Sequence, residues 1–187
     1  MASITGLLCQ IITGNFSGAG TDGHVYLGIG GREFSLDSDA DDYEKNSWRE
    51  YILGLAPNEP ELTFPQIRVK NKDLNDPRNG FELDTTNLNK APVYLRFEPT
   101  GADDNWNLKS LVVVVYKGSG SFHSAYVLPS GFNNLWMGKS FGNVVYLTEV
   151  AANGDNEILE IGRKIAKEEK IEEIDPNMIF QPGPFIM

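Results

Sequence analysis

The sequence predicts an all-β domain, an antiparallel sandwich of eight short strands, followed by one charged C-terminal helix and an apolar tail. Three observations carry this. Short segments rich in Val, Ile, Tyr and Phe alternate with period two. The 19 Gly and 10 Pro of the 187 residues fall between those segments as turn signals. No apolar stripe of helical period occurs before residue 155. A hydrophobic content of 41% in a chain of this length is enough for one ordinary core.

Residues 7–13 form the first apolar, β-prone segment, and residues 24–29 the second, with Val25, Leu27 and Ile29 on one face. Across the turn-rich residues 14–23 the pair reads as a hairpin. Residues 32–36 and 48–53 follow, separated by an acidic stretch over 37–46. Residues 93–97 alternate again. Within 108–116 lies the continuous run Leu111, Val112, Val113, Val114 and Val115, the pattern of a strand buried on both faces. Residues 123–128 and 143–150 complete the eight.

Residues 1–150 are therefore expected to form the sandwich, with a polar insertion at about 55–92. That insertion carries Pro57, Pro60, Pro65, Pro77 and Gly80 and reads as a surface segment with one extra strand near 66–69. In residues 151–187, Ile158, Ile161, Ile165 and Ala166 fall on one helical stripe among Glu, Lys and Arg. The helix packs on the sandwich in one reading and docks on a partner in the other.

A formal net charge of -10 argues against nucleic acid, whose phosphates need clustered Lys and Arg. No segment reaches the ~20 apolar residues of a membrane-spanning helix. The opening residues carry no basic, apolar leader, so a cytoplasmic protein, peripheral at membranes, is expected. Cys9, the single cysteine, lies in an apolar run and reads as a buried thiol.

Two catalytic motifs fail on context. Gly18, Gly20 and Gly23 match the dinucleotide fingerprint, but a strand follows where a helix must receive the pyrophosphate. Gly138, Ser140 and Gly142 match the nucleophile elbow of hydrolases, yet no histidine follows Ser140 to act as its base. The glycines read as a turn, and no enzyme is expected. Asp37, Asp39, Asp41, Asp42 and Glu44 place five carboxylates in one loop. Such a cluster is either a solvated turn or an oxygen site for a hard cation. The spacing is not that of an EF-hand, because Asp42 stands where its glycine belongs.

Three blocks in order resemble PLAT (polycystin, lipoxygenase, alpha-toxin) domains. The first is Thr13-Gly14-Asn15 with Gly18-Ala19-Gly20-Thr21-Asp22-Gly23 and the alternating residues after it. The second is Leu36-Asp37 followed by Asp41-Asp42-Tyr43-Glu44-Lys45-Asn46. The third is Asp103-Asp104-Asn105-Trp106-Asn107-Leu108 with the run at 111–115. The resemblance spans residues 4–118 and weakens around 136–147.

It implies two four-stranded sheets and a non-catalytic module for lipid, membrane or protein association. It also implies calcium between the first loop and the acidic loop. Carried over, the ligands are the carbonyls of Gly18 and Thr21 and the carboxylates of Asp22, Asp42 and Glu44, with Asp41 as a further candidate. Asp103 and Asp104 are placed at the same end. Phe16 and Trp106 are candidates for a lipid or partner interface, with core packing as the competing reading for the tryptophan. The expected partner is membrane lipid or a lipid-associated protein. The alternative is an assembly module that uses the C-terminal helix and tail without metal.

Overall fold

A strand that is apolar on one face needs a second layer, and one that is apolar on both needs two. The computed structural model describes residues 2–55, 66–81, 83–129 and 134–151, together with Gly154 and Ile158. Eleven strands are found among them. They are β1 (Ile4–Thr13), β2 (His24–Ile29), β3 (Arg32–Ser35), β4 (Trp48–Gly54), β5 (Gln66–Arg68), β6 (Tyr94–Glu98), β7 (Trp106–Lys117), β8 (Ser121–Val127), β9 (Leu135–Met137), β10 (Val144–Tyr146) and β11 (Thr148–Val150). One sheet has the order β11-β8-β7-β1-β4-β5, with β9 also on β7, and the other has the order β10-β6-β2-β3. This is the two-layer β-sandwich that the PLAT resemblance implies, with sheets of seven and four strands among the described residues in place of four and four, and with β1 and β7 longer than expected.

The larger sheet is built on β1, which pairs antiparallel with β7 on one side and β4 on the other. Cys9 faces Val113 and Ile11 faces Leu111 across the first ladder. Their side chains meet Val25, Leu27, Phe34, Leu95 and Phe97 of the smaller sheet in one core. The run at 111–115 is at most 2% exposed along its length, as a strand covered on both faces requires. Cys9 is fully buried, and burial pushes its thiol pKa far up, so it packs as an inert apolar group.

Three expectations are corrected. The segments at 7–13 and 24–29 do not form a hairpin, because β1 and β2 lie in different sheets. The tight hairpin is β2–β3, in which Ile29 pairs with Arg32 across Gly30 and Gly31. Both glycines have positive φ, as a two-residue turn matching the strand twist demands. The segment 143–150 is not one strand. It changes sheets at Leu147, so that β10 pairs with β6 and β11 with β8.

The insertion is not confined to the surface either. β5 adds parallel to β4, and Val69, Leu83 and Leu88 join the core, closing the end where Gly30 meets Leu83. Of the expected C-terminal helix, only Ile158 falls among the described residues; the remainder and the tail lie outside them.

The outer face of the smaller sheet is solvated and mixes charges with exposed side chains such as Val144 and Tyr146. Arg96 bonds Glu33 at 2.8 Å and Glu98 at 3.1 Å, and its guanidinium lies 4.1 Å from the Tyr26 ring centre. Leu27, fully buried between the sheets, is the test of the inner face. Leu27→Ala is expected to lower the urea-unfolding free energy by about 2–5 kcal/mol. An exposed-site cost below about 0.5 kcal/mol would contradict the packing described here.

Candidate functional site

Three connections leave the sandwich at one pole: residues 14–23 after β1, 36–47 after β3 and 99–105 after β6. Main-chain bonds tie them together. The Thr13 amide donates to Ser47 O at 2.9 Å, Asn46 to Gly14 O at 3.1 Å, Thr21 to Tyr43 O at 3.3 Å and Asn107 to Ala19 O at 3.0 Å. Gly20 permits the approach, since a Cβ there would stand 2.9 Å from the Lys45 nitrogen.

The acidic loop is sorted into an inner and an outer set by one residue. Tyr43 takes a left-handed backbone with φ of 63°, a costly state for an aromatic residue. The surroundings hold it there. Its hydroxyl donates to Leu36 O, and its ring packs against Trp106 at 5.1 Å and Tyr51 at 5.8 Å between centroids.

As a result Asp42 points inward and the carboxylates around it point out. The Asp42 side chain is 7% exposed and accepts bonds from the Ser38 amide at 2.6 Å, the Ser38 hydroxyl at 2.8 Å and the Tyr51 hydroxyl at 2.9 Å, with Arg49 Nε at 3.9 Å. Burial raises its pKa, against the opposing pull of those hydrogen bonds. Asp42, expected as a cation ligand, is therefore an internal brace.

Asp41, and not Asp42, stands beside Asp22 and Glu44. Oxygens of Asp22, Asp41 and Glu44 lie within 4.8 Å of one another, and all three residues are exposed. Asp22 and Glu44 also border an open recess of about 340 Å³, together with Gly18, Gly20, Thr21, Lys45 and Asp104. The three carboxylates offer hard oxygen atoms, donors of the kind that a hard cation takes. Lys45 brings a positive charge to the rim that opposes a metal cation, a feature the acidic pattern of the sequence obscured.

Asp104 is a tie between loops. Its Oδ1 accepts from Thr21 Oγ1 at 2.5 Å, and its Oδ2 from the Thr100 amide at 2.7 Å and hydroxyl at 2.9 Å. Burial opposes its ionisation, but the bonds from Thr21 and Thr100 outweigh it and hold the carboxyl below the usual range. Asp103 is exposed and stands outside the three-carboxylate cluster.

Trp106 is fully buried, with Nε1 donating to Thr13 Oγ1 at 3.0 Å and its ring against Tyr43 and Phe97. A core group so enclosed cannot enter an interface, so the tryptophan is a packing residue and not an interface group. Phe16, by contrast, is 47% exposed. It begins an aromatic row that the sequence reading did not find: its ring lies 6.5 Å from Trp136, and Trp136 lies 6.3 Å from Phe141, which is 61% exposed. The row exists because β9 pairs Trp136 with Asn107 at the start of β7 and the Gly138–Gly142 bridge folds Phe141 back. That bridge also makes the Ser140 segment a tight turn.

The fold and the pole together define a two-sheet β-sandwich that presents carboxylates and exposed aromatic rings on adjoining loops. Among solved structures, similar chains include alpha-toxin from Clostridium absonum, 22% identical, with 79% of this chain and 32% of that chain covered and a TM-score of 0.47. Clostridium perfringens alpha-toxin is 20% identical over 78% of this chain and 32% of that one, with a TM-score of 0.48. A lipoxygenase deletion variant is 16% identical over 88% of this chain and 20% of that one, with a TM-score of 0.44. The likeness thus covers about a third of the toxin chains and a fifth of the lipoxygenase. No family model and no curated protein matches the chain.

Two outcomes test this geometry. Asp42→Ala strands the Ser38 and Tyr51 donors and is expected to cost about 1–3 kcal/mol of stability, read by urea denaturation. Asp104 has a lowered folded pKa, so its contribution is complete above the unfolded value of about 3.9 and is lost as pH falls through the folded value. The melting-temperature gap between the parent and Asp104→Asn should therefore be present at pH 7 and shrink in acid. A gap independent of pH would contradict it.

Proposed function

We propose that this pole is a calcium-assisted docking surface for membrane lipid or a lipid-associated protein, and that the domain binds without turnover. The observation that carries the reading is that one loop, residues 14–23, contributes Asp22 to the cluster with Asp41 and Glu44 and the exposed Phe16 to the row with the half-buried Trp136 and the exposed Phe141. Three like charges held this close repel one another unless a cation lies between them. Calcium takes six to eight oxygens in flexible geometry, which carboxylates, the carbonyls of Gly18 and Thr21, and water can provide.

A chain of net charge -10 is repelled by anionic lipid, over a distance of about 8 Å at physiological salt. A bound divalent ion reverses the field at one patch. The aromatic rings can then enter the head-group region, where amphipathic and aromatic side chains are favoured. The resemblance of residues 13–27, 36–46 and 103–115 to PLAT domains supports the same reading. No helix among the described residues is long and apolar enough to cross a membrane, so attachment through loops is the route proposed.

Calcium at about 100 times its dissociation constant should stabilise the native state by ~2.7 kcal/mol, seen as a saturable rise in melting temperature. The paired change Asp22→Ala with Glu44→Ala is expected to abolish that rise while leaving the fold intact. Phe141→Ala should weaken calcium-dependent co-sedimentation with anionic vesicles about tenfold, given ~1.5–3 kcal/mol for a buried aromatic ring. A melting temperature indifferent to millimolar calcium would remove the metal from the proposal, and sedimentation unaffected by Phe141→Ala would remove the aromatic row.

A further inference from the structure

Strands alone do not close the inner face of the larger sheet, which is six strands wide along its main path against four in the smaller. Beside β8 the cover includes the segment 84–90, whose Leu88 joins the core cluster that holds Tyr126. That segment is anchored by its main chain. The Thr85 amide donates to Ala2 O at 3.0 Å, Asn87 to Asp84 O at 3.0 Å and Lys90 to Asn87 O at 3.0 Å. Between it and the β8–β11 edge lies a recess of about 400 Å³, a volume typical of small-molecule sites.

A β-bulge shapes the recess. Val115 pairs with Ser124 and Tyr116 with Phe122, so His123 is the extra residue of β8. In a regular strand, residues three apart point to opposite faces, and His123 would turn away from Tyr126. The bulge re-aims the imidazole, and both side chains line the recess. Glu149 is the cross-strand partner of Tyr126 and shares its face. Thr85, Thr86 and Asn89 close the opposite wall.

The lining mixes donors and acceptors and is almost without charge. Desolvation, with Lys117 nearby, holds the His123 pKa below the ordinary imidazole range against the pull of Glu149. The ring is therefore neutral at pH 7, with one donor and one acceptor nitrogen. Burial raises the Tyr126 phenol, which stays protonated. Glu149 is then the one charged group among the lining side chains. Phosphate needs clustered cations, and a quaternary ammonium needs a cage of several rings; this lining offers neither.

We propose that the recess is a second binding site, one that takes a neutral sugar ring. Sugar hydroxyls both donate and accept, as the imidazole, amide, carboxylate and threonine hydroxyls around them require. The C–H face of the ring suits Leu88 and the Tyr126 ring. The site shares no residue with the acidic pole: His123 lies beside Tyr116 near the end of β7, whereas Trp106 begins β7 at the pole.

The chain has two histidines, and His24, which opens β2 at the loop pole, is the internal control. The full chain is titrated with millimolar methyl glycosides of glucose, galactose, mannose and N-acetylglucosamine, and the imidazole proton resonances are followed by NMR. Saturable movement of the His123 signals with at least one glycoside, while those of His24 stand still, is the expected result. Glu149→Ala, a change at an exposed position, should weaken that glycoside's apparent affinity about tenfold, as the loss of a hydrogen bond to a charged group does. His123 signals that no glycoside moves would overturn the proposal. So would sugar binding that Glu149→Ala leaves untouched. Movement with inorganic phosphate or tetramethylammonium and not with sugar would overturn it in favour of a charged ligand.

Discussion

The antiparallel ladder between β1 and β7 is the constraint on which the remaining structure depends. Both strands are apolar on both faces, so neither can stand at a surface, and each demands a layer above and below. The smaller sheet meets one demand through Val25, Leu27, Leu95 and Phe97. The ladder also sets the position of the pole. It ends where Thr13 faces Leu108, and there Trp106 Nε1 bonds the Thr13 hydroxyl while Asn107 pairs its amide with Ala19 O. The loops that follow β1 and precede β7 are thereby held side by side before any of their acidic side chains is considered.

Within that frame, the acidic loop resolves a conflict between charge and packing. Five carboxylates in one stretch cannot all be solvated when its centre must also cover the end of the core. Tyr43 settles the conflict by inserting its ring beside Trp106, at the cost of a left-handed backbone. Asp42 follows it inward and is satisfied by Ser38, Tyr51 and Arg49, while Asp41 and Glu44 turn outward to meet Asp22. The stability of the loop and the concentration of charge at the recess are two results of the same turn.

The aromatic row and the recess share the loop over residues 14–23. Phe16 is far along the chain from Trp136 and Phe141 and meets them because β9 docks on the first residues of β7, while the Gly138–Gly142 bridge folds Phe141 back onto Trp136. Carboxylates that attract a cation and rings that leave water easily are complementary properties, since the first can cancel a repulsive field and the second gains from the contact that follows.

The amino-acid sequence by itself determined the β class, the positions of most strands and the identity of the acidic loop, because period-two alternation and turn residues are local signals. The continuous run at 111–115 already declared a strand covered twice. The PLAT-like blocks placed the loops of residues 14–23 and 36–47 together, and the Gly20 contact with Lys45 has the same arrangement. Only the tertiary structure decided that residues 7–13 and 24–29 separate into two sheets, that 143–150 divides at Leu147, and that Leu83 and Leu88 enter the core. It also decided that Asp41 and not Asp42 stands beside Asp22 and Glu44, and that Trp106 is interior while Trp136 lies beside Phe16. These are choices between adjacent residues or between equivalent partners. They turn on a single backbone angle or on a long-range pairing, and neither leaves a periodic trace in the order of the amino acids.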